Sequence, residues 1–143
     1  TYGGKAITIA IFQAVFTTVL VDIVLIGLHF AFPKVITIPT AIILGGYDKH
    51  VSFAPLAEEI AKTPLIRHCV LIGETAKQIE AALTDAGYAH FSHAKTLKEA
   101  VQMCHDMAEP GSNVLFSPAC ASFDMFEDFE QRGRIFKQLV NQL

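Results

Sequence analysis

From residue 39 onward, short unbroken apolar runs alternate with stretches whose apolar residues return every three or four positions. Residues 40–44 (TAIIL) form the first run, stopped by Gly45-Gly46. Residues 52–63 follow with Phe53, Leu56, Ala57 and Ile60 on one helical face, at i, i+3, i+4 and i+7. Residues 68–72 (HCVLI) predict a second strand, stopped by Gly73. A second helix is predicted over 74–86, with Ile79, Ala82 and Leu83 inward and Gly87 as its stop. Residues 88–91 predict a short strand. Thr96, with Glu99 three residues on, forms a capping box for a helix that buries Leu97, Ala100, Val101, Cys104 and Met107 before Pro110-Gly111. Residues 113–116 (NVLF) predict another strand. A last helix carries Phe129, Phe136, Leu139, Val140 and Leu143. Strands alternating with helices at this spacing imply right-handed crossovers, a mainly parallel sheet and a three-layer α/β, Rossmann-like domain over residues 39–143.

Residues 1–38 follow a different pattern. Between Ala6 and Pro33 the only formal charge is Asp22, so the apolar stretch is long enough to span a bilayer. Against a span stand Gln13, Thr17, Thr18, Asp22 and His29, because a carboxylate at mid-membrane is expensive. The β-branched residues also suit buried strands of a parallel sheet. Residues 7–32 are therefore expected to be buried in the domain, partly as helix and partly as strand. No small-residue cleavage site follows them, as a signal peptide would require.

Composition narrows the classes further. The 143 residues are 52% hydrophobic and 17% charged, enough apolar material for one domain with one core. The net charge is −3, and the ten basic residues after Pro33 are scattered, so there is no nucleic-acid footprint. Cys69 and Cys104 fall in apolar patterns and are expected in the core. No CxxC pair points to zinc or redox chemistry, and the usage fits a reducing, cytoplasmic compartment.

Ligands of open parallel sheets sit outside the carboxyl ends of the strands. Two segments fall there. Gly45-Gly46-Tyr47-Asp48-Lys49 lets the backbone turn tightly and offers the Lys49 ammonium to a carboxylate or phosphate; on pattern alone an ordinary strand-to-helix turn with a solvated lysine is the favoured reading. In Ser117–Met125, small residues precede an acidic and aromatic helix start, where backbone N–H groups and the Ser122 hydroxyl suit an anion. Ser122 also reads as a plain N-cap, and Cys120 as a packed small residue rather than a nucleophile. Neither GxxxxGK[ST] nor GxGxxG occurs in the chain. His90 and His93 lack a ligand spacing, so no metal site is expected.

The run SPACASFDMFEDFEQRG, residues 117–133, resembles the D-glutamate-adding Mur ligases, whose motif reads SPA-x-AS-x-D-x-F-x-x-FE-x-RG. Every fixed position is met. GGYDK at 45–49 resembles the family's GG-x-x-K element, and the resemblance extends from about residue 42 to residue 143. It implies a three-domain enzyme of peptidoglycan synthesis. One domain holds a UDP-sugar moiety, a second holds ATP and Mg²⁺ through a P-loop, and a Rossmann-like third brings in D-glutamate. UDP-N-acetylmuramoyl-L-alanine is activated as an acyl phosphate, and the D-glutamate amine attacks it. Carried over, Lys49 and Ser122 bind D-glutamate carboxylates, Phe129 lies beside Ser122 with its backbone in contact, and Phe123 lines the same pocket. No residue of this chain is implied in catalysis.

The family's D-S-x-x-T element, expected before the strand that ends at Gly45-Gly46, is missing, and the apolar residues 6–32 stand in its place. The expectation is a D-glutamate-positioning domain that is inactive alone, because no phosphate cradle is present. The alternative is a non-enzymatic scaffold or membrane-associated protein that uses residues 6–33 as its anchor.

Overall fold

The computed structural model describes residues 38–143. In chain order it contains β1 (Thr40–Leu44), α1 (Ala54–Lys62), β2 (Ile66–Leu71), α2 (Ala76–Asp85), β3 (Phe91–His93), α3 (Leu97–Met107), β4 (Asn113–Phe116) and α4 (Phe129–Val140). The strands form one sheet in the order β3-β2-β1-β4, and every neighbouring pair is parallel. Ile43 pairs with Val70 on one side and Phe116 on the other. The sequence expectations for residues 7–32, buried or membrane-spanning, fall outside the described residues. No described helix is long and apolar enough to cross a membrane.

Alternating strand residues feed two cores. Ile42, Leu44, Cys69 and Leu71 meet Ala57 and Ile60 of α1 and Ile79 and Leu83 of α2. On the other face, Ala41, Ile43 and Val70 meet Leu97, Ala100, Val101 and Cys104 of α3, with Phe136 and Leu139 of α4 packed alongside. Both faces of the sheet are thus covered at β1, which is why every residue of that strand is buried and its sequence shows no polar alternation, whereas Val114 and Leu115 of β4 are exposed. Fully burying a side chain such as Ile43 or Leu71 contributes about 1.5–3 kcal/mol. Burial pushes the Cys69 and Cys104 thiols up to about 11, so both remain protonated, unreactive core residues.

Local signals set several boundaries. Pro55, in the first turn of α1, needs no N–H there. The Thr96 hydroxyl accepts the Glu99 N–H at 3.1 Å, while Glu99 Oε2 accepts from Lys95 N at 2.7 Å. The box therefore closes with its return bond one residue early. In α4, Asp128 caps by accepting the Gln131 N–H at 2.7 Å.

Three expectations need correction. The third strand is Phe91–His93, not residues 88–91. The buried Tyr88 ring, whose hydroxyl donates to the Ile66 carbonyl, first turns the chain, and ladder bonding starts where Cys69 N donates to the His90 carbonyl. Met107 is exposed, as the last residue of α3, whose inward face ends with Cys104. Phe129, Val140 and Leu143 are exposed as well. Only Ile135, Phe136 and Leu139 of α4 reach the core, so this helix lies at the margin of its layer. The last helix begins at Phe129, with residues 117–128 forming an irregular loop, so its N-terminus lies well downstream of Ser122.

Candidate functional site

Three loops converge outside the carboxyl ends of β1, β2 and β4. The first, after β1, carries Gly45 to Ser52; the second, after β2, carries Gly73 to Thr75; the third, after β4, carries Ser117 to Asp128. The chain leaves β1 through Gly45 at φ +112° and Gly46 at φ +153°, values L side chains rarely adopt. A Cβ on Gly45 would stand 1.9 Å from the Ile72 carbonyl oxygen, and one on Gly46 would stand 2.4 Å from that of Ala121. The glycine pair therefore lets the first loop pass directly against the other two.

Hydrogen bonds fix that approach. Gly45 N donates to the Pro118 carbonyl at 2.8 Å, and Tyr47 N to the Ala121 carbonyl at 3.0 Å. The second of these forms an isolated antiparallel bridge between Tyr47 and Ala121. Each member of that bridge sits next to a candidate residue in sequence: Ala121 directly precedes Ser122, and Tyr47 lies two residues before Lys49. The Phe123 ring meets Tyr47 edge-to-face at 6.1 Å between centroids.

Lys49, Ser122 and Phe123 thus come to the same edge of the sheet. Lys49 is exposed, and no described carboxylate forms an ion pair with it. Ser122 is 2% exposed and caps a turn through its carbonyl, which accepts the N–H groups of Met125 and Phe126. Phe123 and Phe129 are 66% and 70% exposed. Phe129 opens α4 rather than joining this loop contact. Cavities of about 350, 430, 340 and 570 Å³ indent the described residues, and neither Lys49 nor Ser122 lines any of these four; Lys49 is exposed, whereas Ser122 is buried beneath its loop.

Side chains beneath the loops hold them. Asp48 Oδ2 accepts from Gln78 Nε2 at 2.7 Å, and Asp48 Oδ1 from His50 N at 2.6 Å. The Gln78 bond first, then the His50 one, holds the Asp48 carboxyl below its ordinary range. Its own N–H donates to Glu74 Oε2, so Lys49 is flanked by a tethered residue. Asp124 Oδ2 accepts the Glu74 N–H at 3.1 Å, and its buried Oδ1 has no partner among the described residues. Arg132 lies over the Phe116 ring at 5.7 Å and donates to the Cys120 carbonyl at 3.0 Å. Burial raises the Cys120 thiol, which agrees with a packed residue rather than a nucleophile. Arg132 is a fixed position of the quoted motif but carried no assigned role, and nothing in the sequence pattern pointed to Thr75, the buried residue at the centre of the three loops. Both act through contacts far apart in the chain, and a threonine before a helix reads locally as an ordinary cap.

No cluster of three or more potential metal ligands occurs among the described residues. No family model matches the chain. A curated UDP-N-acetylmuramoylalanine–D-glutamate ligase of Caldicellulosiruptor bescii is 48% identical over 105 residues, covering 73% of this chain and 22% of the relative. The corresponding ligase of Trichlorobacter lovleyi is 48% identical over 102 residues, covering 71% and 22%. That of Clostridium botulinum is 43% identical over 107 residues, covering 71% and 23%. The chain thus spans under a quarter of the length of these relatives. Over the matched stretch it is homologous to them, and its all-parallel sheet is consistent with the C-terminal domain of a D-glutamate-adding Mur ligase.

Proposed function

We propose that this homologue of UDP-N-acetylmuramoylalanine–D-glutamate ligases uses residues 39–143 to receive D-glutamate and present its amine to an activated UDP-N-acetylmuramoyl-L-alanine. The observation that carries the reading is the bridge between Tyr47 and Ala121, which joins the Lys49 loop to the Ser122 loop outside the strand carboxyl ends.

The chemistry follows from the ligand. D-Glutamate brings two carboxylates and an amine that must lose its extra proton before it attacks. Lys49 supplies a mobile cation for one carboxylate. Ser122 and the backbone around it supply neutral donors for the other. Phe123 walls the site, and Phe129 contributes through its backbone at the start of α4. Asp48 and Glu74 each accept hydrogen bonds from the protein itself, so they compete less for the ligand ammonium. In the bond-forming step the amine nitrogen attacks the acyl carbon, the C–O bond to phosphate breaks, and the amine proton leaves.

ATP and Mg²⁺ supply the phosphoryl activation in the full enzyme, bound mainly outside these residues, and the described domain is inactive alone. The exposure of Lys49 and Phe123 suits that division, with the remaining wall of the cleft coming from elsewhere in the ligase. The work belongs to peptidoglycan synthesis in the cytoplasm.

The direct test is titration of the isotope-labelled chain with D-glutamate, following backbone amide resonances. Weak, millimolar-range shifts are expected at Gly46–Lys49 and Ala121–Phe123, larger than those from L-glutamate. Shifts confined to the opposite edge of the sheet, or equal for the two enantiomers, would overturn the site.

A further inference from the structure

The three loops meet on one hydroxyl. Thr75 is 0% exposed and lies between the Gly46 backbone and the Cys120 side chain. Its Oγ1 accepts the Gly46 N–H at 3.1 Å and donates to the Gly46 carbonyl at 3.1 Å. The Cys120 sulfur stands 3.2 Å from the same oxygen. With the hydroxyl proton on the Gly46 carbonyl, the Cys120 S–H donates to the remaining lone pair of Oγ1. One side chain on the β2–α2 loop therefore grips the loop bearing Lys49 and the loop bearing Ser122.

Two features separate this from routine helix capping. Thr75 occupies the N-cap position of α2, where a threonine hydroxyl ordinarily accepts from an N–H of the first turn, yet it makes no side-chain cap bond. Its hydroxyl is turned to the loops instead. Thr75 N also donates to the Gly46 carbonyl at 3.1 Å, so that carbonyl keeps a partner without the hydroxyl, whereas the Gly46 N–H has only Thr75 Oγ1 among the described residues.

We infer that Thr75 is a positioning residue for the candidate site, its buried hydroxyl fixing the Gly46–Lys49 loop against the Cys120–Phe123 loop and so setting how Lys49 faces Ser122. The assignment deepens the D-glutamate reading and rests on it for the ligand, while the loop coupling stands on the geometry alone. Thr75 is placed to touch no ligand itself. It acts through Gly46 and Cys120.

The test compares Thr75→Val, which keeps the shape and removes the hydroxyl, with Thr75→Ser, which keeps the hydroxyl. Two readouts on the labelled chain are needed: amide hydrogen exchange and D-glutamate titration. Thr75→Val is expected to accelerate exchange at Gly46 and Tyr47 by about tenfold or more, the scale of one lost buried hydrogen bond, with Ile43 and Val70 in the strands little changed. D-Glutamate binding should weaken by a similar factor, and Thr75→Ser should restore both. The inference is overturned if Thr75→Val leaves Gly46 exchange unchanged, or if it accelerates loop and strand amides equally, which would mark a purely global loss of stability. If Thr75→Val itself fails to fold, Thr75→Ser and wild type with the same loop protection sustain the inference, and loss of protection at Gly46 in Thr75→Ser overturns it. Failure of the wild-type chain to respond to D-glutamate would remove the ligand reading and leave the exchange comparison to decide the loop coupling.

Discussion

Replacing Lys49 with alanine should raise the KM for D-glutamate by about 10- to 100-fold, while binding of the UDP-linked substrate stays nearly unchanged. A charge-assisted hydrogen bond contributes about 1.5–3 kcal/mol, and about 1.4 kcal/mol corresponds to a tenfold change. No described carboxylate holds the Lys49 ammonium, so the full interaction is available to a ligand carboxylate. The measurement needs a complete enzyme. The ligase of Caldicellulosiruptor bescii with its matched stretch replaced by residues 39–143 provides one, given the 48% identity between the two. Lys49→Arg should recover part of the loss, because the charge remains while the reach and donor geometry change. An unchanged D-glutamate KM in Lys49→Ala would remove Lys49 from the site.

Gly45→Ala should destabilise the domain by about 2–5 kcal/mol, a large share of the roughly 5–15 kcal/mol that holds a domain together. Two costs add. The backbone there has φ +112°, and the new Cβ would lie 1.9 Å from the Ile72 carbonyl oxygen, which belongs to the backbone and cannot swing aside. Gly133→Ala is the matching control. Gly133 lies within α4, a Cβ there meets nothing within 4 Å, and alanine in a helix interior is favoured over glycine by about 1 kcal/mol. Urea unfolding should move the two midpoints in opposite directions. A Gly45→Ala midpoint at or above that of wild type would contradict the packing described for the β1 exit.

The contrast between these glycines also shows what the sequence can and cannot carry. The strands TAIIL and NVLF were legible to the residue: TAIIL because burial on both faces of a parallel sheet leaves an unbroken apolar run, and NVLF, largely exposed at the end of the described sheet order, because its apolar run is bounded by Gly111-Ser112 and Ser117-Pro118. Helix faces were legible from their period, as Ala57, Ile60, Ile79, Leu83, Ala100 and Cys104 confirm. The last helix was placed too early. The small residues 117–123 resemble a helix start, yet the hydrogen bonds of that segment go to Gly45 and Tyr47, which no local pattern announces. Of the apolar residues assigned to the last helix, Phe136 and Leu139 pack on the core while Phe129, Val140 and Leu143 are exposed, since periodicity marks an apolar face without saying what covers it.

At the candidate site, the pattern of glycines and lysine after a strand left a solvated turn open as a reading, the small-residue run left Ser122 open between an anion donor and a plain N-cap, and only the family motif singled out Phe123 and Phe129. The structure brings the Lys49 loop to the Ser122 loop through the Tyr47–Ala121 bridge. It also brings in Thr75, 45 residues from Cys120 in sequence. Separations of that size leave no periodic trace. They become visible only once parallel pairing has set the strand ends side by side.

The central claim is that residues 39–143 deliver D-glutamate to an activated acyl group. Phosphate release by the same hybrid ligase, supplied with ATP, Mg²⁺ and UDP-N-acetylmuramoyl-L-alanine, tests it most directly. Release that depends on D-glutamate, with L-glutamate unable to replace it, is the predicted result. A folded hybrid that binds the UDP-linked substrate yet releases no phosphate on addition of D-glutamate would contradict the account.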